Sequence, residues 1–258
     1  MDKLFAIFCW LIMSAPCSAT LLINPTRAEL DDKRNSSAVF AVINKSNKPA
    51  RFNIFFEDKQ QLADGTYLTL ANEPYLNQLI RYSPRRVSLA PEQAANVRMG
   101  LRLTPNIRQG EYRSYLAFQQ IPAPELKNES APGDDISIKI SALLKIAVPV
   151  IVRVGTLSAD IAIADSQLSI TNDGPNHYQV SITLSRLGSR SSYGDVEVID
   201  YETQERVGLL RNVAVYTELV ERRLTVPLKP GHYRKLIVRY TESKRLNDAK
   251  IAETIITL

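Results

Sequence analysis

Ile136-Ser137-Ile138-Lys139-Ile140-Ser141-Ala142-Leu143-Leu144-Lys145-Ile146-Ala147-Val148-Pro149-Val150-Ile151-Val152-Arg153 is the stretch on which the reading of the fold turns. Every even position from Ile136 to Val152 is apolar: Ile136, Ile138, Ile140, Ala142, Leu144, Ile146, Val148, Val150 and Val152. The odd positions open with Ser137, Lys139 and Ser141 and later include Lys145 and Arg153. A period of two puts successive side chains on opposite faces of one extended strand. Strands in globular domains usually span about 5–6 residues, so this run is about three times the usual length. A single small sandwich cannot cover it, and part of the apolar face is expected to protrude along a sheet edge.

An uncovered edge carrying large aliphatic side chains is an aggregation hazard that proteins normally avoid. Its presence suggests use. One use is strand donation, in which the edge supplies main-chain hydrogen bonds and side chains to a partner that lacks a strand. Four large aliphatics buried that way, Ile136, Ile138, Ile140 and Leu144, would contribute roughly 6–12 kcal/mol before the costs of association. The same pattern also fits a strand that bridges two cores and is buried internally.

Outward from this stretch the chain reads as strands throughout, with short Val/Ile/Leu/Tyr/Phe runs punctuated by Asn, Asp, Gly and Pro. Thr20 to Glu29 is a first strand. Ala38 to Ile43 and Ala50 to Glu57 are expected to form a hairpin across the turn Asn44-Lys45-Ser46-Asn47-Lys48-Pro49. Asp58 to Asn77 is irregular. Val87 to Leu89, Ala95 to Leu103 and Glu111 to Ile121 follow as strands, and Pro122 to Asp135 is a loop. After Gly155 come Gln167 to Thr171, Gln179 to Leu184, Asp195 to Asp200, Glu221 to Pro227, His232 to Thr241 and Ile251 to Leu258. No sustained helical period separates these strands, which excludes an α/β enzyme. The expectation is an all-β chain of two sandwich domains, residues 20–154 and 155–258.

The first nineteen residues read as a secretory signal peptide: Lys3, the apolar run Leu4 to Met13, and small residues before a cut after Ala19. The apolar run is too short to span a bilayer as a helix, so no membrane insertion is expected after cleavage. Both cysteines, Cys9 and Cys17, lie inside this segment, and the remaining chain has no thiol for a disulfide, a metal site or a nucleophile. The net charge of +5 is scattered and not gathered into a Lys/Arg block, and export argues against nucleic acid as a partner.

Three further segments carry a resemblance. Leu22-Ile23-Asn24-Pro25-Thr26-Arg27-Ala28-Glu29-Leu30 with Ala38-Val39-Phe40-Ala41-Val42-Ile43-Asn44 is one. Arg85-Arg86-Val87-Ser88-Leu89-Ala90-Pro91-Glu92 running into Asn96-Val97-Arg98 is the second. Gly110-Glu111-Tyr112-Arg113-Ser114-Tyr115-Leu116-Ala117-Phe118, followed by the alternating strand ending Val148-Pro149-Val150-Ile151-Val152-Arg153, is the third. Together they resemble the periplasmic chaperones of the chaperone–usher pilus pathway, nearest to the alternate or archaic branch. The resemblance covers residues 20 to 154 and the second domain in outline.

That resemblance implies two immunoglobulin-like domains in a boomerang, a periplasmic location, pilus subunits and an outer-membrane usher as partners, and no cofactor. It also implies a cleft Arg on the first strand and a cleft Lys on the last, gripping the subunit's terminal carboxylate. Arg27 matches the first, and its planar fork suits a carboxylate. Pro149 fills the slot of the second, so Lys145, earlier on the same polar face, is the substitute anchor. Ile136, Ile138, Ile140, Ala142 and Leu144 would be the donated side chains. Arg153 would join an interdomain salt bridge, with Asp248 as its expected partner.

Catalysis has little support. His177 and His232 sit in turn sequences without a nucleophile or metal partner nearby. Asp31-Asp32 and Asp134-Asp135 lack the glycine spacing of a calcium loop, and no phosphate-cradling Gly-rich loop occurs. The chain is therefore read as not an enzyme. The rival readings are a structural or adhesive pilus component and an exported carbohydrate-binding sandwich. The first would be expected to carry a donor extension ahead of Arg27, which follows close behind the cut. The second would be expected to present aromatic platforms, yet Trp10, the single Trp, lies in the signal segment.

Overall fold

The computed structural model describes residues 20–122, 142–170, 178–246 and 248–257. The expected signal segment with both cysteines, the expected donor residues Ile136, Ile138 and Ile140, and His177 lie outside the described residues.

The expected first strand is two strands. β1 (Leu21–Asn24) and β2 (Ala28–Asp31) are separated at Pro25, which has no N–H to continue a ladder. They pair with different sheets. β1 joins β3 (Ser37–Asn44), while β2 runs parallel to β11 (Lys145–Val154), with Ala28 opposite Val150 and Asp31 opposite Arg153. One face sheet has the order β1-β3-β9-β7, where β7 is Ile80–Ser83 and β9 is Ala94–Leu101. The other has the order β2-β11-β10-β4-β8, with β4 at Ala50–Glu57, β8 at Arg86–Leu89 and β10 at Gly110–Ile121.

The expected hairpin between β3 and β4 is not formed, because the two strands lie in opposite sheets. The turn between them is a corner of the sandwich, pinned by the fully buried Asn44. Its Nδ2 donates to the carbonyls of Lys48, Leu89 and Ala90, the last two from the turn that crosses back. Between the sheets the alternating residues interdigitate. Phe40 of β3 meets Phe118 of β10 edge to face at 6.3 Å, and Phe56 of β4 meets Tyr82 of β7 at 5.1 Å. Each such buried aromatic contributes roughly 1.5–3 kcal/mol. The even positions Val148, Val150, Val152 and Val154 of β11 belong to this core, and Leu144 and Ile146 pack half-buried against it.

The segment between β4 and β7 holds a separate two-stranded hairpin, β5 (Lys59–Gln61) with β6 (Tyr67–Thr69), and one short helix, α1 (Leu76–Leu79).

The strands from Ala159 onward build a second sandwich with its own core. One sheet is β12-β13-β16 (Ala159–Ile170, Tyr178–Gly188, Glu221–Pro227). The other is β15-β14-β17-β18, with β14 at Ser192–Asp200, β15 at Arg206–Val215, β17 at Lys235–Glu242 and β18 at Ile251–Thr257. β15 is the strand the sequence conceals. Its alternation is broken by Gly208 and Asn212, the latter in a left-handed conformation (φ 56°) beside a register shift against β14. Gly194 sits in β14 where a Cβ would come within 2.0 Å of the Thr241 carbonyl oxygen, so the close approach of β17 requires it.

Candidate functional site

Because the even residues of β11 face the first core, its odd residues and those of β10 lie on the opposite face of the sheet, where Ile151, Glu111 and Arg113 meet the second sandwich. Across the sheet, Pro149, Tyr115 and Glu57 form one row, and Glu29, Ile151 and Arg113 form the next. Ile151 is fully buried against Tyr193, Ala214, Tyr216 and Leu246 of the second sandwich, which gives the contact an apolar centre.

On one side of that centre lies Arg153. Its Nη1 reaches Glu29 at 2.5 Å and its Nε reaches Glu111 at 2.9 Å. Both carboxylates continue into the second sandwich: Glu29 accepts from the Tyr193 hydroxyl and Glu111 accepts from the Ser191 backbone N–H. Burial opposes the charge on Arg153, but the two carboxylates win and hold its pKa above the ordinary value. Arg153 thus bridges the sandwiches through Glu29 and Glu111. The expected pairing with Asp248 is not made, since Asp248 binds Arg190 at 2.7 Å, together with the fully buried Glu242. Sequence order could not reveal this, because Arg190 and Asp248 meet only when β14 and β17 pair.

On the other side lies a group of cations with donors left over. The guanidinium of Arg27 stacks on the Tyr193 ring at 3.8 Å, and its buried Nη1 has no hydrogen-bond partner among the described residues. Arg113 lies over the Tyr216 ring at 3.6 Å, and its Nη2 donates to Glu218 at 2.5 Å and to the Lys59 carbonyl at 2.8 Å. Its Nε and Nη1 are buried without a partner among the described residues, as is the Tyr115 hydroxyl. Burial raises the pKa of Tyr115, so the phenol keeps its proton and can donate. Tyr216 is likewise raised by burial, against the opposing fields of Arg27 and Arg113, so both cations act on the same phenol. Buried donors without acceptors are costly, and four such atoms lie on Arg27, Arg113 and Tyr115, both arginines being stacked on tyrosines that pack with Ile151. An anion with several acceptor lone pairs, such as a carboxylate, is the chemistry that would satisfy them.

Lys145 is differently placed. Its Nζ binds Glu57 at 2.5 Å, and Lys59 binds the other oxygen of the same carboxylate at 3.0 Å. Burial would raise the Glu57 pKa, yet the two lysines hold it below the usual value. In the row of Arg27 the β11 residue is Pro149. Ala142 is exposed and Leu144 half-buried. Arg113 and Tyr115 do not stand out in the sequence. The signal was present in the odd positions Glu111, Arg113 and Tyr115 of β10, but nothing in the sequence said which sandwich would cover that face.

β11 has a second feature. β2 pairs with it only from Val150 onward, so the edge opposite β10 is unpaired among the described residues from Lys145 to Pro149. The lane beside that edge stops where β2 starts, next to Arg27. Elsewhere, the described residues contain no group of three or more His, Cys, Asp or Glu arranged for a metal ion, and no helix among them is long and apolar enough to cross a membrane.

No protein-family model and no curated protein matches the sequence. Solved structures do match. The YadV chaperone superposes on 93% of this chain and 100% of its own, with a TM-score of 0.50 at 9% identity. A chain of the CsuC–CsuE chaperone–tip adhesion subunit pre-assembly complex, from archaic chaperone–usher Csu pili of Acinetobacter baumannii, matches 91% of this chain and 98% of its own (TM-score 0.48, 11% identity). The class 5 fimbriae chaperone CfaA matches 92% and 98% (TM-score 0.47, 12% identity). At these identities the likeness is one of fold: the chain is all-β and shares the two-sandwich architecture of the YadV chaperone.

Proposed function

We propose that this chain is a periplasmic chaperone that stabilises pilus subunits by lending them a strand, and passes them to an outer-membrane usher. The observation that carries the reading is the open edge of β11 from Lys145 to Pro149 lying beside Arg27, whose Nη1 is a buried donor without a partner among the described residues. An incoming strand laid along Lys145–Pro149 in the lane ahead of β2 would run parallel to β11 and end at Arg27. Its terminal carboxylate would then meet the free donors of Arg27, Arg113 and Tyr115. The anchor proposed is therefore Arg27 with Arg113; Lys145 shares the Glu57 carboxylate with Lys59 and lies four residues before Pro149 on the strand.

The donated side chains follow from the period of two. Ile136, Ile138, Ile140, Ala142 and Leu144 continue the face that Ile146 and Val148 turn toward the first core. Main-chain bonds supply affinity and the alternating side chains supply fit. The fixed carboxylate supplies register, because a one-residue slip would turn every donated side chain away. No nucleotide is needed, since displacement by a neighbouring subunit's own extension ends the cycle. The fold shared with the YadV chaperone and the signal segment support the same reading.

The test is co-expression with small exported β proteins that lack a strand, followed by a periplasmic pull-down. Arg27→Ala and Arg113→Ala should each remove subunit from the recovered complex while leaving the chaperone folded by circular dichroism. Undiminished recovery with both variants would count against the reading.

A further inference from the structure

By its pairing, the β5–β6 hairpin belongs to neither sandwich, and it is latched onto the second. Gln61 is fully buried. Its Nε2 donates to the Ala214 carbonyl at 3.1 Å, and its Oε1 accepts from the Tyr216 N–H at 3.2 Å. The Ala63 carbonyl accepts from the Arg223 N–H at 2.7 Å. At the turn, Gly65 (φ +87°) rests on the Arg222 guanidinium, where a Cβ would fall 2.5 Å from Nη2. The backbone N–H of Gln61 donates to Glu218 Oε1 at 2.8 Å, and the same oxygen accepts from Arg113 Nη2. One carboxylate oxygen from the second sandwich therefore ties together the hairpin and a cation of the first sandwich.

We propose that Glu218 and Gln61 are positioning residues for the carboxylate site, and that the site is complete only when the hairpin is latched to the second sandwich. Arg113 projects from β10, but the groups that fix its plane come from elsewhere: Glu218, the Tyr216 ring and the Lys59 carbonyl of the hairpin. With its Nη2 held there, Nε and Nη1 are left as the free donors. Without Glu218 the guanidinium is free to turn, and those donors lose their direction. Gln61 acts one step further back, by holding the hairpin against Ala214 and Tyr216. This inference rests on the proposed carboxylate reading and adds to it that grip on the terminus depends on the contact between the sandwiches.

The experiment compares two synthetic peptides of alternating Val and Ser by calorimetric titration of the full chain. One ends in a free carboxylate and the other in an amide. The wild type should prefer the acid by about tenfold, the size of one charge-assisted hydrogen bond. Glu218→Ala and Gln61→Ala should bring the acid-to-amide ratio toward one with the amide affinity unchanged, whereas a merely structural role would weaken both peptides alike. Glu218→Gln keeps an acceptor for both donors and removes a negative charge near the ligand, so it should keep or raise the ratio. Equal wild-type affinity for the two peptides would sink the carboxylate reading itself. A wild type that discriminates, an Arg113→Ala variant that does not, and a Glu218→Ala variant that still does would overturn the positioning role alone. Failure of Glu218→Gln to preserve the ratio would overturn it too. If Glu218→Ala does not fold, Gln61→Ala carries the same comparison.

Discussion

Glu57 holds Lys59 and Lys145 on its two oxygens, and its side chain is only 8% exposed. Its pKa lies below the ordinary carboxylate value in the folded chain. A depressed folded pKa contributes stability above the unfolded pKa and loses it as pH falls through the folded value. Stability should therefore fall from about pH 5 downward, and Glu57→Gln should flatten that limb while costing about 1–2 kcal/mol at neutral pH. Urea unfolding of both proteins as a function of pH checks this; identical limbs would exclude Glu57 as a contributor. Arg27 and Arg113 carry buried donor atoms without a partner among the described residues, whereas Lys145 shares the Glu57 carboxylate with Lys59.

Along β11 one task is seen, packing of the first core, and the proposed function gives the segment before it a second. From Val148 to Val152 its even residues are core, and Val150 is fully buried, so Val150→Ala should cost about 2–3 kcal/mol through the cavity it leaves. Toward the other end the same alternation continues through Ile140, Ile138 and Ile136. Ile138→Asp with Ile140→Asp should leave the melting temperature within a few degrees of wild type and abolish subunit recovery. Thermal melts paired with the pull-down separate the two ends of the strand, and a large loss of stability from the double variant would assign those isoleucines to this chain's own core instead. Alternation alone makes β11 legible in the sequence. β1 and β2 are less so, because Pro25 shows that a ladder stops but not that the next residues join the opposite sheet.

For the whole molecule, the two sandwiches meet over Ile151, with the Arg153 network on one side and the hairpin latch on the other. Glu111 is 1% exposed, and removing Arg153 would leave its charge buried without a counter-ion. Arg153→Ala should therefore destabilise the chain by about 3–5 kcal/mol. It should also broaden the distance distribution between spin labels placed on the two sandwiches, and an unchanged distribution would mean that the hairpin latch alone sets their arrangement.

The sequence by itself determined the all-β class and which residues of β11 share its apolar face, because alternation and residue chemistry are local and survive without knowledge of neighbours. Only the tertiary structure decided that β3 and β4 part company, that Asp248 serves Arg190, that Lys145 and Lys59 share Glu57, and that Arg27 and Arg113 stack on tyrosines of the second sandwich. Those outcomes depend on which face of a sheet meets another body. A period of two names the two faces of a strand but not what covers them.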